Sequence, residues 1–475
     1  MIGHDTNLSV RWQGFRGFVD TGWLDLPPLT VLLGANSSGK SSLLAPLLLL
    51  KQSLASRTGA TALVTRGEFV NVGAFRDFAH AHDSEGTVRF GLRWDSHPRA
   101  NARRAVGDNP PGGLDLAFVR GENLDEVRLS LYRLEDVYRR IMLRRALTED
   151  GRYTLWMPPV PDGFSVTESP PARVRRVLAR VLRESKPVDF LFTTSDLRTA
   201  VLDRAADDDG PSFPLLLREP RALFYSSMVD YARTRLNTLL DDIFFLGPLR
   251  EPPKRVYELS GEPPPDVGTR GEYASELLYR LGGETEEFDV VRDWLRHFDL
   301  PDSIQFEAVG DEGFAPRFGA GARANSPLDL GFGLSQLFPL IVQGVLAPPM
   351  SQLLIEQPEI HLNPRLQAGL ADLLVSFANK SKGVIVETHS EHFLLRLRQL
   401  LARDEINAED VAVYFFDRVD AESRIRRVDL GQNGYIDPND WPTGFFDDSL
   451  REALALAHAQ TEQKARHAQS DIETP

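Results

Sequence analysis

A short apolar run, Thr30-Val31-Leu32-Leu33, leads into the loop Gly34-Ala35-Asn36-Ser37-Ser38-Gly39-Lys40-Ser41-Ser42, and an apolar stretch from Leu43 to Leu50 follows it. A buried strand, a glycine-rich loop and a helix in that order leave few folds open. Gly34 and Gly39 let the backbone curl so that consecutive N–H groups face inward at a helix N-terminus, which makes a cradle for phosphate oxygens. Asn36, Ser37, Ser38 and Ser42 complete the wall of that cradle. Lys40 has the reach to meet β- and γ-phosphates, and the Ser41 hydroxyl is placed to ligate Mg²⁺. The pattern predicts a site for a nucleoside triphosphate.

With 475 residues the chain is long enough for two or three compact units around a large core. It contains no cysteine, which excludes disulfides, Cys-based zinc sites and Cys nucleophiles and fits a reducing compartment. The N-terminus has neither a basic n-region nor an apolar h-region. The longest apolar runs, near Leu43–Leu50 and Phe338–Met350, fall short of the ~20 residues that span a bilayer. These features predict a soluble cytoplasmic protein with no membrane partner. A net charge of −14 argues against nonspecific coating of nucleic acid. Two basic clusters stand out locally. Arg173, Arg176, Arg180 and Arg183 recur at helical spacing, opposite an apolar stripe of Val174, Val177, Leu178, Val181 and Leu182, and Arg139, Arg140, Arg144 and Arg145 form the second. Both read as solvated helix surface or as contacts to a phosphate backbone.

Along the chain, Ser9–Phe18 reads as a strand and Trp23–Leu26 as a second. Period-two segments around Val88–Trp94, Leu114–Phe118 and Val127–Leu131 predict an antiparallel meander, with Asn101–Gly113 as a flexible loop. The expected division is an N-terminal lobe over 1–160 and an inserted helical subdomain over 161–243. A C-terminal lobe follows over 244–454, and a disordered tail over 455–475.

A phosphate loop needs a carboxylate at the end of a second buried strand to hold the metal. Leu353-Leu354-Ile355 supplies the strand and Glu356 the carboxylate, followed by Gln357-Pro358-Glu359. Upstream, Gly331-Phe332-Gly333-Leu334-Ser335-Gln336 caps an apolar helix over Leu337–Leu346 and forms another anion site. Downstream, Val384-Ile385-Val386 ends in Glu387-Thr388-His389-Ser390, where His389 can hydrogen-bond a γ-phosphate. Asp417 and Asp420 read as a strand-end turn in preference to a metal pair.

Taken in order, GANSSGKSS, GFGLSQ, LLIEQPEIHLNP and VETHS resemble the ABC-type ATPase heads of the RecF/SMC/OLD group, as does the opening GFRGF. FLGPLREPPKRVYELSG and WPTGFFD (Trp441 to Asp447) are similar to a narrower branch, stand-alone bacterial ATPases with a C-terminal domain of unknown function. The resemblance covers about residues 8–450 and is thin across the insert. It implies an α/β P-loop ABC-type ATPase head, with an antiparallel β subdomain and an inserted helical subdomain. It also implies ATP and Mg²⁺ as cofactors and a head-to-tail homodimer. Ser335, with Gly333, would complete the site of the partner subunit in trans. Relatives act in DNA maintenance or anti-phage defence, often with an effector nuclease, so an effector protein and DNA are expected partners.

Two departures matter. The residue after the metal-binding acid is usually a Glu that polarises the attacking water; here it is Gln357, which cannot accept a proton but can orient water. Glu359 is the alternative carboxylate. OLD-type enzymes carry a C-terminal nuclease domain, and none is expected from the residues after His389. Three alternatives stay open: a nucleotide-binding subunit of a transporter, a nuclease in its own right, and a near-inactive structural ATP-binding subunit.

Overall fold

In the computed structural model, which describes residues 8–56, 61–94, 110–123, 126–149, 153–156, 220–319, 321, 324–431 and 433–437, the chain opens on paired strands. Strand β1 (Leu8–Phe15) turns at Arg16 and Gly17 and returns as β2 (Phe18–Asp20). The single strand expected over Ser9–Phe18 is therefore a hairpin. Arg16 adopts a φ of 50° there, a left-handed conformation that extended backbone does not contain. β3 (Leu24–Leu26) pairs with the start of β1, and β4 (Leu29–Gly34) runs into the phosphate loop. Helix α1 (Lys40–Ala55) and the single turn α2 (Phe75–Phe78) follow.

The meander is present as β5 (Val88–Trp94), β6 (Pro111–Arg120), β7 (Val127–Asp136), β8 (Ile141–Leu147) and β9 (Tyr153–Trp156). Together with β1 and β2 these give the order β2-β1-β5-β6-β7-β8-β9, with β3 also on β1. Pro111, Gly112 and Gly113 belong to β6 rather than to a loop; the pairing with β7 shifts register between Pro111 and Gly113, so Gly112 is accommodated as a bulge. The arginines at 139–145 do not lie on a helix. They sit on the β7–β8 hairpin, where Arg140 pairs with Asp136 at 2.7 Å and Arg139 donates to the Gly112 carbonyl at 2.8 Å. Arg145 is fully buried.

The second half builds α3 (Pro220–Asp241), β10 (Ile243–Leu246), β11 (Tyr257–Glu258), α4 (Ala274–Leu281), α5 (Glu286–His297), β12 (Ile304–Val309) and β13 (Gly313–Phe318). Next come α6 (Phe332–Leu346), β14 (Gln352–Glu356), α7 (Pro364–Asn379), β15 (Gly383–Glu387), α8 (Glu391–Ala402), β16 (Val411–Val419) and β17 (Glu422–Val428). The central sheet runs β10-β14-β15-β4-β16-β17, parallel throughout except for the β16–β17 pair. Every residue of β4 is buried, as its unbroken apolar sequence requires of a strand covered on both faces. Leu32 joins one core with β1, β5–β7, α1 and α3, whereas Leu29, Val31 and Leu33 face a second core built on α4–α8.

The expected N- and C-terminal lobes thus share one sheet, because β4 comes from the first and its neighbours from the second. Of the 161–243 insert, only the helix from Pro220 onward falls within the described residues. Its end is pinned to α1, since Lys51 Nζ donates to the carbonyls of Leu240 (3.0 Å) and Asp241 (2.9 Å). That is a basic cap on a helix C-terminus. Arg173, Arg176, Arg180, Arg183, Trp441–Asp447 and the 455–475 tail lie outside the described residues. Among the described residues, no helix is long and apolar enough to cross a membrane.

Gly344 of α6 abuts the ring of Phe377, itself 2% exposed, so closely that any Cβ would clash with it. Gly344→Ala gains about 1 kcal/mol of helix propensity, but overpacking a closed core costs about 1–3 kcal/mol, sometimes more. The substitution is expected to lower the urea midpoint; a raised midpoint would show that α6 and α7 do not pack this closely.

Candidate nucleotide site

The loop after β4 has the conformation its sequence predicts. Gly34 and Gly39 take φ of 143° and 110°, values that side chains rarely tolerate. Space forbids a side chain as well. A Cβ on Gly34 would strike the Phe416 carbonyl oxygen, and one on Gly39 would lie 2.6 Å from the Ser423 hydroxyl. Lys40 folds over the loop, donating to the carbonyls of Gly34 (3.0 Å) and Ala35 (2.7 Å). Burial pushes its pKa down, while Glu387 and Glu359 hold it up. Asn36 and Ser37 are exposed at the tip. Ser38 is buried and its Oγ has no hydrogen-bond partner. Ser42 Oγ accepts from Arg16 Nη1 at 3.3 Å.

Ser41 donates its hydroxyl hydrogen to Glu387 Oε2 at 2.7 Å, and Lys40 Nζ stands 3.8 Å from Glu387 Oε1. The carboxylate on the Ser41 hydroxyl is thus Glu387, which the sequence reading left without a role, and not Glu356. Glu356 is its register partner on the adjacent strand. Burial pushes Glu356 up to about 7, the charge of Glu387 adds to this, and Arg250 and Arg16 pull the other way. Burial also raises Glu387, against its bond from Ser41 and the charge of Lys40. Among the described residues no three His, Asp or Glu side chains cluster as a metal site. Two carboxylates and a hydroxyl are nevertheless a set that suits Mg²⁺, which keeps several of its waters. A divalent cation would also relieve the repulsion between Glu356 and Glu387. The residues fit a Mg²⁺–nucleotide complex.

Gln357, Glu359 and His389 meet at the ends of β14 and β15. The Gln357 amide nitrogen lies 3.4 Å from His389 Nε2. Burial, then Lys40, lowers His389 to about 4, so the ring is neutral at physiological pH and Nε2 can accept. Glu359, 9% exposed, accepts from the His389 backbone N–H at 2.6 Å. It braces the switch residue, a placement different from the water-activating role open to it in sequence. Ser390 caps α8 through the Phe393 N–H and donates to Gln367. Ser335 and Gly333 lie in the first turn of α6. Ser335 lines a pocket with Glu251, Tyr257, Gly271, Ser275 and Phe338, and no phosphate-loop residue borders it. The structure brings Lys40, Ser41, Glu356, Gln357, Glu359 and His389 together and leaves Ser335 apart. The hairpin of Asp417 and Asp420 is a turn, with Asp420 at φ 51°.

Arg16 and Arg250 belong to the site as well. Both are charge neighbours of Glu356. Arg16 sits in the GFRGF string, but its position over Ser42 depends on the β1–β2 turn.

The carboxylate pair generates a pH prediction. An acid raised in the folded state to about 7 from its ordinary 4.5 favours the folded form while protonated. Its contribution is present below pH 4.5 and is lost as pH rises to about 7, amounting to about 3 kcal/mol at most. Glu356→Gln is expected to remove that loss. Without nucleotide or metal, the difference in denaturation midpoint between variant and wild type should grow in the variant's favour from about pH 5 to pH 8. A constant difference would mean that Glu356 does not carry the repulsion.

A family model described as an AAA domain, putative AbiEii toxin of a type IV TA system, matches residues 272–396. Another, described as a protein of unknown function (DUF3696), matches residues 406–456. No curated protein matches the sequence significantly. Among solved structures, the Smc head bound to the C-winged helix domain of ScpA is 13% identical, with a TM-score of 0.36, covering 89% of this chain and 98% of that one. The SMC head domain from Thermotoga maritima is 10% identical, TM-score 0.36, covering 89% and 100%. The Smc head with an extended coiled coil, bound to the C-terminal domain of ScpA derived from Pyrococcus furiosus, is 12% identical, TM-score 0.36, covering 89% and 96%. The AAA-domain match, the sheet order and the loop after β4 together identify a P-loop ATPase fold of mixed α/β content.

Proposed function

We propose that this protein is an ATP-dependent conformational switch of the RecF/SMC/OLD type, with slow intrinsic hydrolysis. The observation that carries the reading is the convergence of Lys40, Ser41, Glu356, Glu387 and the Gln357–His389 pair at the carboxyl ends of three neighbouring parallel strands, where α/β folds bind ligands. Loop N–H groups and Lys40 would hold the phosphates, with Lys40 exchanging its two carbonyl partners for phosphate oxygens. Ser41, Glu356 and Glu387 would hold Mg²⁺. When bound, Mg²⁺–ATP supplies a triphosphate whose hydrolysis resets the switch. Gln357, backed by a neutral His389, orients water and cannot deprotonate it, so turnover is low until a partner assists.

Ser335 lies in the first turn of α6, in a pocket that no residue of its own phosphate loop borders, an arrangement that suits a homodimer in which each Ser335 completes the partner's site. The description of the AAA match, putative AbiEii toxin of a type IV TA system, is compatible with a role in anti-phage defence or DNA maintenance alongside an effector protein and DNA.

The deciding experiment uses two variants. Lys40→Ala should lose ATP binding while keeping the fold, because backbone N–H groups cannot replace a point charge among phosphates. Ser335→Arg should bind ATP yet fail to dimerise or hydrolyse it. Mixed together, the two inactive proteins should recover part of the wild-type turnover, since one site per mixed dimer pairs an intact Lys40 with an intact Ser335. A Ser335→Arg protein as active as wild type would sink the composite site, and unchanged ATP affinity in Lys40→Ala would sink the nucleotide reading itself.

Gln357→Glu restores a carboxylate where water is to be activated. General-base catalysis is worth roughly 10²–10⁴-fold, so basal turnover of the isolated protein is expected to rise at least tenfold. An unchanged single-turnover rate would show that residue 357 does not face the water.

A further inference from the structure

β10 ends at Leu246, level with Ile355 of β14, so the turn Gly247-Pro248-Leu249-Arg250 leaves the sheet beside Glu356. The turn is fastened on both sides. The Gly247 N–H donates to Thr269 O at 2.8 Å and the Glu251 N–H to Arg270 O at 2.9 Å. Between these fixed points the exposures are inverted from the usual preference: Leu249 is 72% exposed and Arg250 only 7%. None of Arg250's Nε, Nη1 and Nη2 has a hydrogen-bond acceptor. The charges it feels are Glu356 and then Glu359, yet neither carboxylate bonds to it. Burial lowers its pKa to about 10, which leaves it a cation at neutral pH.

A buried guanidinium with all its donors idle is costly. Buried polar groups are otherwise satisfied so regularly that such an orphan calls for a partner. A planar fork of N–H donors matches phosphate oxygens in charge and geometry. Its place in the sheet selects which phosphate. β10 stands three strand spacings, about 14 Å, from β4, with Glu356 and Glu387 on the strands between. The carboxylates that would hold the metal lie between the loop and Arg250, and a metal bridging β- and γ-oxygens sets the terminal phosphate on that side.

We propose that Arg250 reads the terminal phosphate of the nucleotide held by Lys40 of the same subunit, its guanidinium donating to γ-phosphate oxygens from the Glu356 side. This rests on the ATP reading above. A cis arginine supplies charge stabilisation where Gln357 supplies no base, the division of labour seen when arginine fingers accompany a glutamine-positioned water. The next residue, Glu251, lines the pocket that also contains Ser335.

The test compares ADP with the non-hydrolysable analogue AMP-PNP, both with Mg²⁺, by calorimetry on wild type, Arg250→Gln and Arg250→Lys. ADP affinity should stay within about twofold of wild type in both variants. Arg250→Gln should weaken AMP-PNP binding by about 10–100-fold, as expected for a lost charge-assisted bond, with Arg250→Lys intermediate. Nucleotide-free Arg250→Gln should melt no lower than wild type, because it loses an unpaired buried charge, but its upward shift with AMP-PNP should shrink. Equal losses for the two nucleotides, or an unchanged ratio of their affinities, would overturn the assignment of Arg250. A lowered melting temperature with the ratio intact would make Arg250 a structural residue. A wild type that binds neither nucleotide would fell the ATP reading, and this inference with it.

Discussion

The burial of one ammonium at the end of β4 governs the rest of the structure. Lys40 is 3% exposed, and removing its charge from water costs several kcal/mol unless partners surround it. Two carbonyls of its own loop and the nearby Glu387 do so. They can do so only if β15 lies beside β4 in the register that sets Glu387 against Leu32. That register places Glu356 one strand further on, and the β10 turn one strand beyond that. The site is assembled by sheet alignment around Lys40, which explains why its residues are scattered over most of the chain.

Elements whose signal is local are legible in the sequence. β4, β14 and β15 are apolar runs ending in glycine or acid, and α1 follows its glycine-rich loop; α6 begins at Phe332, so the turn expected over Gly331–Gln336 is the start of the helix itself. Legibility fails where pairing overrides local chemistry. Pro111-Gly112-Gly113 carries turn residues, yet β7 recruits it into a strand and absorbs the excess as a bulge. Arg139, Arg140, Arg144 and Arg145 suit a helix surface, yet they lie on a hairpin with Arg145 inside. The site shows the same limit. Lys40, Ser41, Glu356 and His389 are visible through motif spacing. That Ser41 meets Glu387 rather than Glu356 depends on a contact 346 residues apart in sequence, and no local pattern encodes it. Arg250 carries still less signal, being one arginine after a four-residue strand.

The far C-terminal strands also close on the loop. Ser423 of β17 accepts no side chain in front of it at Gly17 or Gly39, and its N–H donates to the Gly17 carbonyl at 2.8 Å. The opening hairpin, the phosphate loop and the β16–β17 hairpin therefore form one packed unit. Any change in the loop's backbone is transmitted to an edge strand whose Arg424, Arg426 and Arg427 are exposed.

Three fastenings thus radiate from the site, each with a distinct reach. α1 carries the phosphate loop at one end and, through Lys51, the C-terminus of α3 and the insert beyond it. β17 rests on Gly39. The turn after β10 joins Arg250 to Glu251 and the pocket beneath Ser335. Packed cores shift between discrete arrangements more readily than they deform. A ligand that binds Lys40, Glu356 and Arg250 at once therefore favours the arrangement in which all three fastenings agree. The same logic accounts for the orphan guanidinium of Arg250. If Arg250 reads the terminal phosphate as proposed, that cost falls on the nucleotide-free form and biases the balance toward the bound arrangement.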